Sequence, residues 1–432
     1  MMRHSPFLFI ALAATILPLC SRGENIDLPT VLKLAGAQNI EVQIAEAKLK
    51  EAQALDNGSV WQLFPTLSPG VSYRNHSGRA QAFDGSVSDV EKQSVAAGGT
   101  VQLQLELGEA IYRRLVAKQV AEAAGHQLEA QRQQTLLQAA QAYFDLSRAH
   151  QSIALLEASA KTARDFHAQI LNGVKAGLAF KGDEYRAFAQ LNRAEIKLQQ
   201  ARDTAQAAAT NLAQILRLKI TDALTPADLQ PLPLAFDEKK EALDALVQRS
   251  IQKRPEIAEN EALVEAAEAQ LKGVTYGPLF PTLGAQYYAG GLGGSTSSSR
   301  SDYASSSDTV VTLSWKIGAG GLFDSSRKNA AEALHNQVEL KASRTRESIT
   351  RQVVDAYANV GYLSSQLELL KQGVQASEAG LKLALARKEF AVGVVLEALQ
   401  SQQDLIQAQL DYLQAVAELN KAQYRLKVAV GE

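Results

Sequence analysis

Several residue types and patterns are scarce in this chain, and each absence removes a class of function. The single cysteine is Cys20, and the two methionines are Met1 and Met2. One cysteine excludes an intrachain disulfide and argues against thiolate catalysis. A processed chain without methionine has no thioether site for soft metals. The 6 histidines include no pair four residues apart, so a helical zinc site is unsupported. Neither a Gly-x-x-x-x-Gly-Lys-Ser/Thr loop nor a Gly-x-Ser-x-Gly elbow occurs. Gly318-Ala319-Gly320-Gly321 lacks the third glycine of a dinucleotide fingerprint and reads as a tight strand-to-helix turn. No catalytic, cofactor-binding or metal-binding residue is assigned, and the chain is not expected to be an enzyme. Any energy-driven step then belongs to a partner.

An excess of one charge is also missing. Lys+Arg number 44 against 46 Asp+Glu, for a net charge of −2, which offers no electrostatic case for nucleic acid. Long apolar runs are confined to Pro6–Leu19. Beyond it no segment reaches the roughly 18 uncharged apolar residues of a spanning helix, so any membrane span must be made of strands. The run follows Arg3 and His4, as in a secretory signal, and residues 1–23 are expected to be a signal peptide. Cys20 is a lipidation candidate after Leu17-Pro18-Leu19, although Leu19 stands where a lipobox carries a small residue. Cleavage after Ser21-Arg22-Gly23 is the alternative.

What the chain does contain, it contains twice. Leu63-Phe64-Pro65-Thr66-Leu67 returns as Leu279-Phe280-Pro281-Thr282-Leu283, an offset of 216 in 432 residues. Farther on the offset becomes 214, where Gln141-Ala142-Tyr143 falls on Asp355-Ala356-Tyr357. The expected domains are a first repeat over 24–217, a connector over 218–237 rich in proline, and a second repeat over 238–432.

Each repeat reads as a Leu-Phe-Pro corner, two strands with a polar insert, a long helix, a glycine tip and a returning helix. In Thr100–Gly108, Val101, Leu103, Leu105 and Leu107 alternate with Gln102, Gln104 and Glu106. In the second half Val311, Leu313, Trp315 and Ile317 alternate with Val310, Thr312, Ser314 and Lys316. Thr66–Tyr73 and Thr282–Tyr288 are their weaker partners. The segments Arg74–Ser94 and Ala289–Asp308 are expected to be polar hairpin loops. Proline-free runs over 109–171 and 325–390 predict helices on the order of 100 Å long. The returning helices carry a seven-residue seam: Leu191, Ala194, Leu198, Ala201, Ala205, Ala208, Leu212 and Ile215, then Leu405, Ala408, Tyr412, Ala415, Leu419, Ala422, Leu426 and Ala429.

Four strands cannot close a membrane barrel, which needs about eight, and an open edge in hydrocarbon leaves backbone groups unsatisfied. If the strands span a membrane, several copies must pool them. The competing reading is a periplasmic coiled-coil adaptor or scaffold without a pore.

This arrangement resembles the TolC family of outer-membrane efflux proteins. The most telling stretches are Arg254-Pro255-Glu256-Ile257 leading to Leu279-Phe280-Pro281, and Val395-Leu396-Glu397-Ala398-Leu399-Gln400-Ser401-Gln402-Gln403-Asp404-Leu405. The resemblance implies a mainly α fold with a small β part. Duplicated long-helix hairpins form an α-helical barrel, and four strands per chain contribute to the twelve-stranded transmembrane β-barrel of a homotrimer. It implies an outer-membrane location with a long periplasmic part and the smaller helices in an equatorial belt. The function implied is passive conduction in a tripartite efflux or type I secretion system, with a periplasmic adaptor and an inner-membrane pump as partners and outer-membrane lipid around the strands. The helical turns at Gly177-Leu178 and Gly393-Val394 become the adaptor-contact tips. Asp183 and Glu397, 214 residues apart, become candidate constriction residues. Three like charges on one axis would repel one another and attract cations. A helix N-terminal carboxylate favoured by the dipole is the other reading of both. Phe390 and Val392 are candidates for an apolar constriction or for packing between helices.

Overall fold

A computed structural model describes residues 25–219, 224–227, 242–296, 300–389 and 395–432. Cys20 and the expected signal segment, part of the connector, and Phe390, Val392, Gly393 and Val394 lie outside the described residues. In chain order the elements are β1 (Asn25–Ile26), α1 (Leu28–Gln38), α2 (Ile40–Trp61), β2 (Thr66–Gln81), β3 (Val87–Glu106), α3 (Leu107–Lys175) and α4 (Lys181–Leu216). They continue as β4 (Thr225–Pro226), α5 (Leu243–Lys253), α6 (Pro255–Tyr276), β5 (Thr282–Thr296), β6 (Arg300–Ser314), α7 (Ser325–Glu389) and α8 (Val395–Val430). The 69 residues of α3 and 65 of α7 contain no proline, so nothing interrupts the backbone ladder.

The helix ends repeat as the sequence does. After α3, Gly177 takes φ +78°, its N–H bonds to Val174 O at 3.0 Å, and the Leu178 N–H bonds to Gly173 O at 2.8 Å. This is a Schellman turn, which satisfies carbonyls that the helix leaves open. After α4 the left-handed residue is Arg217, and after α8 it is Gly431, 214 positions later.

The chain divides into two compact units. One comprises Met1–Ala35, Gln138–Pro233 and Ser364–Lys421. Here α3 packs on α4 through Ala160, Ala163, Leu191 and Ala194, with Leu198 beside them. Alanine at these positions lets the backbones approach closely, while Arg164–Glu195 at 3.0 Å and Arg202–Glu157 at 2.8 Å bridge the flanks. Lys421 of α8 reaches Asp145 of α3 at 2.5 Å and Glu418 at 3.1 Å. The short strands β1 and β4 pair in parallel.

The other unit comprises Gly36–Leu137, Leu234–Leu363 and Ala422–Glu432. It holds an antiparallel sheet in the order β2-β3-β5-β6. Val42, Ala45 and Leu49 of α2 pack on Leu128 of α3. Val353 and Ala356 of α7 meet Ala429 and Val430 of α8, with Leu243, Leu246 and Val247 of α5 against them.

Two expectations are corrected. The segments assigned to hairpin loops are mostly strand: β2 and β3 stay paired from Thr66↔Gln102 to Gln81↔Val87, and their turn is confined to residues 82–86. Polar composition is a loop signal only where no strand lies alongside, because ladder hydrogen bonds are indifferent to what the side chain carries. Within α4, burial falls on Ala205, Ala209, Leu212, Ala213 and Leu216 instead of Ala208 and Ile215. From Ala187 to Leu216 the buried stripe thus follows the 3.6-residue period of a straight helix, drifting off a strict heptad.

Candidate functional site

The register assigns the sheet two faces. Leu67, Val71 and Tyr73 of β2 share a side with Val95, Ala97 and Val101 of β3, Leu283, Ala285 and Tyr287 of β5, and Val311 and Leu313 of β6. Many of these are large and exposed; Leu67 is 70% and Val71 78% accessible. The other side carries Ser68, Ser72, Thr100, Gln102, Gln104, Gln286 and Thr312. From Leu67 to Tyr73 the apolar band covers about 20 Å of strand at 3.3 Å per residue, close to the roughly 25 Å apolar belt of outer-membrane strands.

Close backbone packing shapes the polar side. Gly98 pairs with Gly290, and a Cβ at Gly98 would lie 2.4 Å from Ala289 O and 3.0 Å from the Tyr288 ring. Tyr288 covers Gly98 and Gly290 on this side, whereas Tyr303 covers Gly291 and Gly293 on the apolar side, its hydroxyl donating to Ala97 O at 3.1 Å.

At the base of the sheet an exposed aromatic belt gathers both tryptophans. Trp61 lies 5.5 Å from Phe64, and Trp315 donates its indole N–H to Leu279 O at 3.3 Å. Phe280 and Phe323 are also exposed at this end of the strands. Strand alternation in the sequence marks Trp315 among these; the signal for the other aromatic residues is their closeness to the strand ends.

The strand-to-helix junction is held by ions. Arg113 pairs with Glu106 at 2.7 Å and Glu109 at 3.1 Å, and Arg327 reaches Glu109 at 2.9 Å. Burial pushes the Glu109 carboxyl up, but the hydrogen bond and charge of Arg327, with Arg113 behind them, outweigh it and hold the group below its usual value. The glycine turn before α7 is tight, as expected: Gly320 has φ +73° and donates to Asp324 Oδ2 at 2.8 Å. Arg113 and Arg327 are 214 residues apart, a correspondence overlooked in the sequence.

In the other unit, Asp183 is the third residue of α4 and Glu397 the third residue of α8, so the offset that joins them in sequence gives them equal helix positions. Asp183 lies 3.6 Å from Arg186, and Glu397 pairs with Arg387 of α7 at 2.8 Å. Both pairs are solvent-accessible, where an ion pair contributes only about 0–1 kcal/mol. Arg387 lies ten residues before Glu397, near the end of α7, and nothing in the helical periodicity marks it. Leu178 and Phe180 project from the described turn, both more than 80% accessible. Below it, Phe166, Ile170, Ala187 and Leu399 pack together with Val174, joining α3, α4 and α8. A groove of about 250 Å³ runs beside them, lined by Phe166, Leu381, Leu385, Ala398, Leu405 and Ile406 among others.

Among the described residues no group of three or more His, Cys, Asp or Glu could hold a metal ion, and no helix is long and apolar enough to cross a membrane.

Comparison with known proteins gives the following. The family model described as outer membrane efflux protein matches residues 31–216 and 246–432. Protein CyaE of Bordetella pertussis is 28% identical over 308 residues, covering 69% of this chain and 62% of that protein. This match therefore spans less than two thirds of CyaE. A membrane protein from Pseudomonas aeruginosa has a TM-score of 0.80 at 21% identity, with 94% of this chain and 93% of that one covered. The Campylobacter jejuni CmeC outer membrane channel has a TM-score of 0.79 at 14% identity, covering 94% and 85%. At such identities the likeness to both structures is one of fold.

Proposed function

Because this chain belongs to the outer membrane efflux protein family, we propose that it is a passive exit duct of the outer membrane, assembled as a homotrimer. The observation that carries this reading is the two-faced sheet whose outer edges, on β2 and β6, have no partner strand among the described residues. In hydrocarbon an unpaired backbone group costs several kcal/mol, so the edges must be closed. Three copies supply twelve strands, above the roughly eight at which membrane barrels begin. The apolar face then meets lipid, the aromatic belt sits at the headgroup boundary, and the polar face lines water. The helices form the periplasmic part.

In this reading the tips at Gly177-Leu178 and Gly393-Val394 meet a periplasmic adaptor, and an inner-membrane pump supplies the energy. Leu178 supports an adaptor contact because a large apolar side chain left in water at a turn is a ready anchor. Asp183 and Glu397 are the proposed constriction, with Arg387 holding Glu397 when the tip is closed. Planar-bilayer recording of the purified protein tests the duct. We expect small steps from the native protein and larger ones after Asp183→Asn with Glu397→Gln. Protein that stays silent in both forms, while folded and inserted, would overturn the reading in favour of a scaffold.

A further inference from the structure

Above the apolar band the two faces of the β2–β3 hairpin separate charge as sharply as they separate polarity below it. Pairing is continuous with no register shift along the hairpin, so alternate residues keep their side from end to end. Arg74 and His76 of β2 and Lys92 of β3 lie on the side opposite Leu67, Val71, Tyr73, Val95 and Val101. His76 stands directly across from Lys92, and Arg74 is one pair nearer the band, across from Ser94. Among the described residues neither Arg74 nor Lys92 forms an ion pair, and the Nε2 of His76 is enclosed without a hydrogen-bond partner. The hairpin's acids take the other side: Glu91 is across from Ser77 and Asp89 from Arg79. At this level β5 presents Gly293, Gly294 and Ser295, and Asp302 stands on β6, two strands from β3.

We propose that Arg74, Lys92 and His76 form an anion-attracting collar at the outer mouth of the duct, and that the solutes favoured there carry carboxylate or phosphate groups. The inference rests on the duct reading, which makes this face the lumen. At this level two formal positive charges per chain stand with Asp302 of the β6 bulge, Asp308 lies lower on the same face across from Tyr288, and threefold repetition concentrates the charges around one opening. A lumen ring of Lys and Arg favours anions, and the low-dielectric wall behind it focuses the field. Phosphates of surrounding lipid are not the ligand, because the apolar face points to lipid and the basic side chains point away from it.

The test is the reversal potential in a salt gradient, recorded from the Asp183→Asn/Glu397→Gln protein so that the helical tips do not set selectivity. Replacing Arg74→Gln and Lys92→Gln in that protein removes about one kT of lumen potential. The anion-to-cation permeability ratio then falls by about e², roughly sevenfold. Inorganic triphosphate added on the hairpin side should block current in the parent and pass without block in the variant. Arg74→Lys with Lys92→Arg should restore both properties. Asp89→Asn with Glu91→Gln, on the opposite face, should change neither. A conducting double Gln variant with an unchanged ratio and unchanged block overturns the collar, as does an equal shift from the Asp89/Glu91 pair. Failure of every form to conduct overturns the duct reading itself.

Discussion

Arg254 offers the sharpest test of how the small helices are fixed to the long ones. It precedes α6 with only 8% of its side chain accessible. Its Nε and Nη2 donate to the Glu256 carboxylate at 2.8 and 2.5 Å, and its Nη1 donates to Val428 O at 3.1 Å. Gln352 Oε1 of α7 accepts at 3.4 Å. One guanidinium thus ties the start of α6 to α7 and to the last turn of α8. Arg254→Met keeps most of the volume and removes all four bonds. It leaves Glu256 without a cation beside Glu259, whose carboxyl is already raised by burial and then by the Glu256 charge. Breaking a buried pair costs about 3–5 kcal/mol. Glu256 is 30% accessible, which places this case at about 3 kcal/mol. Hydrogen exchange reads the effect locally: protection of the Val428–Val430 amides should fall by about two orders of magnitude, at about 1.4 kcal/mol per decade. Peptides around Gly177 should be unchanged. Adding Glu256→Gln should recover part of the loss, because the uncompensated charge is gone. Unchanged protection in Arg254→Met, or a double variant as labile as the single one, would refute the assignment.

Gly431 holds φ +90°, and a Cβ there would lie 2.8 Å from that of Lys253. Gly431→Ala should therefore destabilise the end of α8 by about 1–2 kcal/mol, visible in the same exchange experiment. Gly290→Val places a side chain 2.3 Å from Ala97 O, and should abolish heat-stable oligomer on gels while leaving helical circular dichroism intact. Glu109 is held below its usual 4.5, so its stabilising contribution is complete above that value and is lost as pH falls through the folded pKa. Arg327→Gln should flatten this acid dependence in exchange at the start of α3. Glu259 has the opposite sign: its raised pKa makes ionisation costly as pH rises, so Glu259→Gln should stabilise at pH 7 and be neutral near pH 4, by the same measurement.

The parts legible in the sequence are those governed by short-range periodicity. Alternation from Val101 to Leu105 gave the strand face, proline-free runs gave α3 and α7, and the 214-residue offset placed Asp183 and Glu397 at matching helix positions. Interactions between distant residues left no such trace. Arg254 finds a carbonyl 174 residues away, and Lys421 finds Asp145 across 276. The upper hairpin was misread because Ser, Gly and Asn mark loops only when no neighbouring strand takes up the backbone groups. There, β3 takes up those of β2.

The duplication has not stayed symmetrical where it matters most for holding the sheet to the helices. Arg113 and Arg327 are matching residues of the two repeats, yet both bind Glu109. The residue that matches Glu109 in the second repeat is Phe323, turned outward at 87% accessibility with φ +69°. The local carboxylate of the second turn is Asp324, whose Oδ1 accepts from the Arg327 backbone N–H at 3.0 Å, while the Arg327 guanidinium reaches Glu109. Arg113 keeps Glu106 as a further partner, whereas the carboxylate that pairs with the Arg327 guanidinium comes from the other repeat. The guanidinium of the second junction thus takes its ion-pair partner from the first. Two copies of one hairpin design have become a single sheet base with a shared acid, and that base still ends in the open strands β2 and β6. Closure within the chain has therefore gone as far as four strands permit, and in the proposed duct the remaining edges are what a neighbouring copy satisfies.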